Sequence, residues 1–125
     1  MTKTDVSHTL DTLDSIIKGC DEIQAVLHEQ AGKTSNPTYL DDFQRDIVTL
    51  DNLKIIMVTV SEDLRNKTVG SSTELLLRIA ANDFKQKLAN IPEKKTLRRE
   101  IEQLLKDVHK DVVKIKVSAP VGGRI

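Results

Sequence analysis

Four long stretches of this chain place an apolar residue every three or four positions, and only Tyr39, Phe43 and Phe84 are aromatic. That spacing is the period of one helix face, whereas a half-buried strand alternates every second residue. A core filled almost entirely by Leu, Ile and Val is built of aliphatic layers, which specify a unique packing less sharply than aromatic side chains do. The expected fold class is all-α: a four-helix up-down-up-down bundle with a long coiled-coil-like N-terminal hairpin. At 125 residues, a single domain over residues 1–118 with a flexible tail over 119–125 is the natural division.

The helix boundaries are written in capping residues. A heptad seam of Val6, Leu10, Leu13, Ile17, Cys20, Gln24, Leu27 and Ala31 predicts a first helix ending at Gly32, with Ile16 and Ile23 widening its apolar face. Asn36 before Pro37 is a start signal for a second helix, since Asn caps free amides and Pro suits the first helical position. Its buried face is expected to be Leu40, Phe43, Ile47, Leu50, Leu53, Met57, Val60 and Leu64, with Asp41, Asp42, Asp46 and Asp51 facing elsewhere. Ser71 followed by Glu74 matches a capping box and opens a third helix on Leu77, Ala80, Phe84, Leu88 and Ile91, broadened by Leu76 and Ile79. Pro92 ends or kinks it. A fourth helix follows to about Lys116 on Leu97, Ile101, Leu104, Leu105, Val108, Val112 and Ile115, and the stretch Val112 to Val117 also alternates as a strand would. Leu13, Ile17, Leu50, Met57, Leu77, Phe84, Leu104 and Val108, each central to its stripe, are expected to be buried. Gln24 within the first seam reads as a partly exposed side chain, with a register-fixing role as the alternative.

The polar N-terminus and the lack of any apolar run near the roughly 20 residues that span a bilayer predict neither a signal peptide nor a transmembrane helix. A lone cysteine, Cys20, cannot form an internal disulfide and falls on an apolar stripe, where free Cys acts as a small hydrophobe. Together these place the expected protein in the cytoplasm.

Reaction centres are hard to find in this sequence. His8, His28 and His109 have no second ligand at a metal-binding spacing apart from Asp5 with His8, so no metal and no cofactor is expected. Phosphate loops, nucleophile elbows and cysteine pairs do not occur. His28 followed by Gly32 resembles the His-x-x-Lys-Gly signature of histidine phosphotransfer domains, four-helix bundles in which an exposed imidazole carries a phosphoryl group. Ala31 stands where that signature has Lys, and Gly32 is read as a helix end where that family's helix continues.

Charge is distributed unevenly. Residues 1–70 hold 7 Lys and Arg against 12 Asp and Glu, and residues 71–125 hold 12 against 7, for a net charge of zero. One reading is that the acidic hairpin packs on the basic one with ion pairs at the rim. The sharper reading makes Lys94, Lys95, Arg98 and Arg99, helped by Lys85 and Lys87, a docking patch for an acidic surface. Nucleic acid is disfavoured as that partner, because no aromatic residue interleaves with the cluster for base stacking.

The run Asn36-Pro37-Thr38-Tyr39-Leu40 leading into a long Leu-rich helix is similar to small coiled-coil subunits of vesicle- and lysosome-positioning complexes, and to helical kinetochore subunits, over a minor part of the chain. By elimination the expected function is that of a non-enzymatic helical interaction or scaffold protein. It would be a small subunit or adaptor of a larger assembly, binding protein partners or a second copy through apolar helix seams. A self-contained monomeric bundle acting as adaptor or regulator is the alternative, and a histidine-phosphotransfer-like domain is a further one.

Overall fold

The computed structural model describes residues 2–88 and 94–118, with side chains placed over residues 6–88 and 94–117. Among them are four helices: α1 (Thr2–Lys33), α2 (Pro37–Asn66), α3 (Ser71–Lys87) and α4 (Lys95–Ser118). At 1.5 Å per residue they are about 48, 45, 26 and 36 Å long. Each helix packs chiefly on its two neighbours in a ring, α1 on α2 and α4, and α3 on α2 and α4. The architecture is an all-α four-helix bundle.

The boundaries follow the capping chemistry closely, with three differences. Asn36 has extended backbone and its Oδ1 accepts from the Thr38 amide at 2.9 Å, so α2 starts as the Asn-Pro pair predicts. α2 ends on Lys67 in the left-handed region (φ 60°), while the Thr68 amide donates to Asp63 O at 2.8 Å and the Lys67 amide to Leu64 O at 3.4 Å. That pair of bonds is a Schellman closure, usually made with Gly. The first difference is that α1 runs through Gly32 to Lys33; Gly32 is exposed with nothing close to it, so the fold does not need a break there.

The second lies at the start of α3, where the N-cap residue is Gly70 and not Ser71. Thr73 Oγ1 accepts from the Gly70 amide at 3.1 Å and donates to Asp63 Oδ2 at 2.7 Å, and Thr68 Oγ1 donates to the same carboxylate at 3.1 Å. One aspartate thus joins the end of α2 to the start of α3, and Glu74 is left free for another task. The third is that α3 stops at Lys87, with Leu88 in extended backbone. α3 and α4 are therefore separate helices, and Val112 to Val117 is helical. Ile91 and Pro92 lie outside the described residues, as does the tail over 119–125.

The core comprises Leu13, Ile16, Cys20, Ile23 and Leu27 from α1, and Leu50, Leu53, Met57, Val60 and Leu64 from α2. Leu77, Ala80, Phe84 and Leu88 extend it from the α3 side, and Ile101, Leu105, Val108 and Val112 from α4. Ile17 and Leu104, expected at stripe centres, are only half-buried. The cause is geometric: α1 and α4 each face two neighbours, so the deepest line runs between adjacent heptad seams. It follows Thr9, Leu13, Ile16, Cys20, Ile23 and Leu27 on α1, leaving Val6, Leu10 and Ile17 on the shoulder.

Thr9 and Gln24, both buried, are hydrogen-bonded across helices. Thr9 donates to Asp111 Oδ2 at 3.1 Å. Gln24 is 6% exposed, and its Nε2 donates to Ile47 O at 2.9 Å and Asp51 Oδ1 at 2.7 Å. The expectation of a partly exposed Gln24 is thereby corrected; it fixes the register of α1 against α2. Asp46 is also buried, and not on an outer side. Lys54 Nζ, 2.7 Å from Asp21, is a third tie between these helices. Its pKa is raised, first by that hydrogen bond.

α1 and α4 come close together at Gly19. A Cβ there would meet Ile101 Cδ1 at 2.9 Å and Cγ1 at 3.1 Å. Further along, Lys94 Nζ lies 3.7 Å from Glu22 at the start of α4. Where the end of α1 and the beginning of α2 lie, Leu27 is buried and Val26, Leu40, Phe43 and Ile47 are half-buried.

Candidate functional site

The fold divides the four cations of the expected docking patch. Lys94 pairs with Glu22, and Arg98 sets its guanidinium 5.8 Å from the centroid of the buried Phe84 ring while donating to Lys85 O at 3.4 Å. Both are half-buried and tie α4 into the bundle. Lys95 and Arg99 are exposed, and no carboxylate among the described residues lies within 4.0 Å of either. The cross-bundle reading of the charge asymmetry holds for Lys94 with Glu22. By contrast, Lys54 with Asp21 and Lys116 with Glu74 join helices within one half.

Lys95 and Arg99 begin a strip that extends beyond the cluster of residues 94–99. Lys106 and Lys110 continue it at spacings of seven and four residues, which keep side chains on one helix face. Both are exposed and also lack a carboxylate within 4.0 Å. The signal was there to be found, but at helical spacing and not as a run of adjacent basic residues.

Beside this strip, α3 and α4 leave a depression of about 390 Å³ lined by Leu77, Arg78, Ala81, Leu105, Lys106, His109 and Lys110. It adjoins a smaller one of about 130 Å³, to which Lys85 and Glu102 also contribute. The small side chain of Ala81 opens the gap, the edges of Leu77 and Leu105 give an apolar floor, and the cations stand on the walls. His109 Nε2, shielded from solvent and without a hydrogen-bond partner, belongs to the same wall.

Glu74 secures one side of this region. Its carboxylate lies 2.6 Å from Lys116 Nζ, 3.4 Å from Arg78 Nη2 and 3.7 Å from His109 Nε2. The hydrogen bond from Lys116 is the main reason its pKa is lowered, with the nearby positive charges adding to it against some desolvation. Its hydrogen bonds with Lys116 of α4 and Arg78 of α3 tie the two helices together beside the depression, which Arg78 lines.

The second surface is apolar. Val48 (55% exposed), Ile55 (62%) and Val58 (47%) follow one another on α2 at spacings of seven and three, and Leu75 (56%) and Ile79 (43%) at a spacing of four on α3. Val48, Ile55 and Leu75 point away from the core-facing stripes of their own helices. Ile79, expected to widen the α3 core stripe, turns outward instead. Tyr39 on α2 and Val117 on α4 are also exposed, and no large apolar side chain described on α1 is.

Little else in the molecule offers chemistry. His28 is exposed on α1, which continues helical through Gly32, so the expected helix end there is overturned while Ala31 still fills the Lys place. Lys33 is 3.8 Å from Glu29. Cys20 is fully buried, and burial pushes its thiol pKa up to about 12. Among the described residues no three His, Cys, Asp or Glu side chains gather as a metal ion would need, and no helix is long and apolar enough to cross a membrane. No family model, curated protein or solved structure matches this chain.

Proposed function

We propose that this protein is a non-enzymatic helical interaction protein, a small cytoplasmic subunit or adaptor whose outward faces of α2 and α3 pack against helices of a protein partner. The observation that carries the reading is the group Val48, Ile55, Val58, Leu75 and Ile79, large aliphatic side chains left in water by a bundle whose core is already closed. Scattered apolar side chains are normal on a surface, but apolar residues at heptad spacing on the side of a helix away from its own core form a seam for another helix. The concentration of these residues on α2 and α3, against the charged outer face of α1, gives the seam a side. This assigns the apolar faces a binding role that the buried stripes, consumed by the bundle itself, do not have.

The test compares proteins recovered with the wild-type chain and with Ile55→Glu/Leu75→Glu at equal folded concentration. Loss of a stoichiometric partner, with the helix signal and melting curve retained, supports the proposal. Recovery of the same proteins in the same amount by both contradicts it.

A further inference from the structure

We propose that the groove between α3 and α4 is the docking site for an acidic amphipathic helix of a partner protein. This rests on the interaction-protein reading and gives the partner a chemistry at a second surface, distinct from the apolar seam.

The charge of the groove comes first. Arg78, Lys85, Lys106 and Lys110 surround it, and Glu102 is the one acid that lines it. Of these, Arg78 is partnered by Glu74, while Lys85, Lys106 and Lys110 have no carboxylate within 4.0 Å among the described residues. Cations left unneutralised on the walls of a low-dielectric concavity attract anions more strongly than the same cations on a flat face. The floor comes second. The edges of Leu77, Ala81 and Leu105 line a depression of about 390 Å³, room for one or two large aliphatic side chains. Cations around an apolar floor call for an apolar anchor flanked by carboxylates, the face of an acidic amphipathic helix.

Dimensions agree with a helical occupant. Arg78 to Lys85 spans about 10 Å of α3 and Lys106 to Lys110 about 6 Å of α4 at 1.5 Å per residue, so the walls flank one to two turns of a docked helix. Other occupants fit less well. A bilayer is flat and meets proteins through projecting apolar groups, whereas here the apolar surface is recessed. A nucleic acid strand would find no aromatic side chain for stacking among the lining residues. On a second copy the outward Val48 and Ile55 of α2 are flanked by the exposed Asp41 and Glu62, so that occupant is decided by the oligomeric state measured below.

The experiment uses the full chain and a fluorescein-labelled synthetic helix of about 20 residues, with Leu along one face and Glu on both flanks, alongside the same peptide with Lys for Glu. Fluorescence anisotropy is expected to show saturable binding of the Glu peptide only, weakening about tenfold between about 0.1 M and 0.5 M salt. Lys106→Glu/Lys110→Glu is expected to weaken it at least about tenfold while leaving the melting curve unchanged, because both side chains are exposed. Ala81→Gln, which fills the floor, is expected to weaken it with the cations intact. Absence of saturable binding, or equal affinity for wild type and Lys106→Glu/Lys110→Glu, overturns the proposal. So does adsorption to phosphatidylserine vesicles, or a wild-type dimer in sedimentation, if Lys106→Glu/Lys110→Glu abolishes it, since the groove would then belong to a bilayer or a second copy. If the peptide fails while Ile55→Glu/Leu75→Glu still loses its partner, the groove proposal falls and the proposed function stands.

Discussion

At the scale of single residues, burial and pairing decide what can react. Cys20 sits at 0% exposure with a thiol pKa pushed up to about 12 by desolvation, so at neutral pH it is a protonated hydrophobe. Alkylation by iodoacetamide at pH 8 should be at least about a hundredfold slower for the native chain than for the chain in urea, since it needs both opening and thiolate. Comparable rates in the two states would place Cys20 outside the core. Glu74 gives a pH signature. Its folded pKa is lowered chiefly by Lys116, so its stabilisation is fully present above the unfolded value of about 4.3 and is lost as pH falls through the lower folded value. Glu74→Gln should therefore be less stable than wild type at pH 7, with the gap narrowing below about pH 4, as read by urea melts at pH 7 and pH 3. Cys20 was legible in the sequence as a stripe residue. Gln24 was legible only as a polar residue in a seam, because its acceptors, Ile47 O and Asp51, are 23 and 27 residues away.

At the scale of helices, capping chemistry was legible and packing phase was not. Asn36-Pro37 opens α2 because its signal is local: one side chain, one amide and one fixed φ. The Ser71 to Glu74 match failed because Thr73 and Asp63 close the same turn from the previous helix. The α1 seam was displaced to Ile16 and Ile23 for a related reason, since which of two adjacent seams is deepest depends on where α2 and α4 lie. Gly19 carries the clearest element-scale prediction. Glycine inside a helix costs about 1 kcal/mol relative to Ala, and here it admits Ile101. Gly19→Val should destabilise the chain by about 1 to 3 kcal/mol by overpacking against Ile101, measured by urea denaturation. A stabilised variant would mean that α1 and α4 are farther apart than this contact requires.

At the scale of the molecule, the side chains that hold the bundle are distinct from those that face outward. Leu50 is fully buried, and Leu50→Ala should cost about 2 to 5 kcal/mol. Ile55, five residues on and 62% exposed, should tolerate Ile55→Glu within about 0.5 kcal/mol. Similar losses at the two positions would mean that the α2 outer face is part of the fold. The four-helix class was legible because helical periodicity and caps sum over the whole chain. The two surfaces were not, because periodicity cannot say which of two apolar stripes on one helix faces inward, and because a groove exists only once α3 and α4 are side by side. The outward seam and the groove are thus products of assembly, though every residue in them was visible from the start. The most direct test places a photo-crosslinking phenylalanine analogue at Ile55, at Leu75 or at Lys18, the last on the charged outer face of α1, in cells that make the protein. A discrete adduct with another polypeptide is expected from positions 55 and 75 and little from position 18; equal yields from all three, or adducts only from position 18, would mean that the α2 and α3 outer faces are not the binding surface.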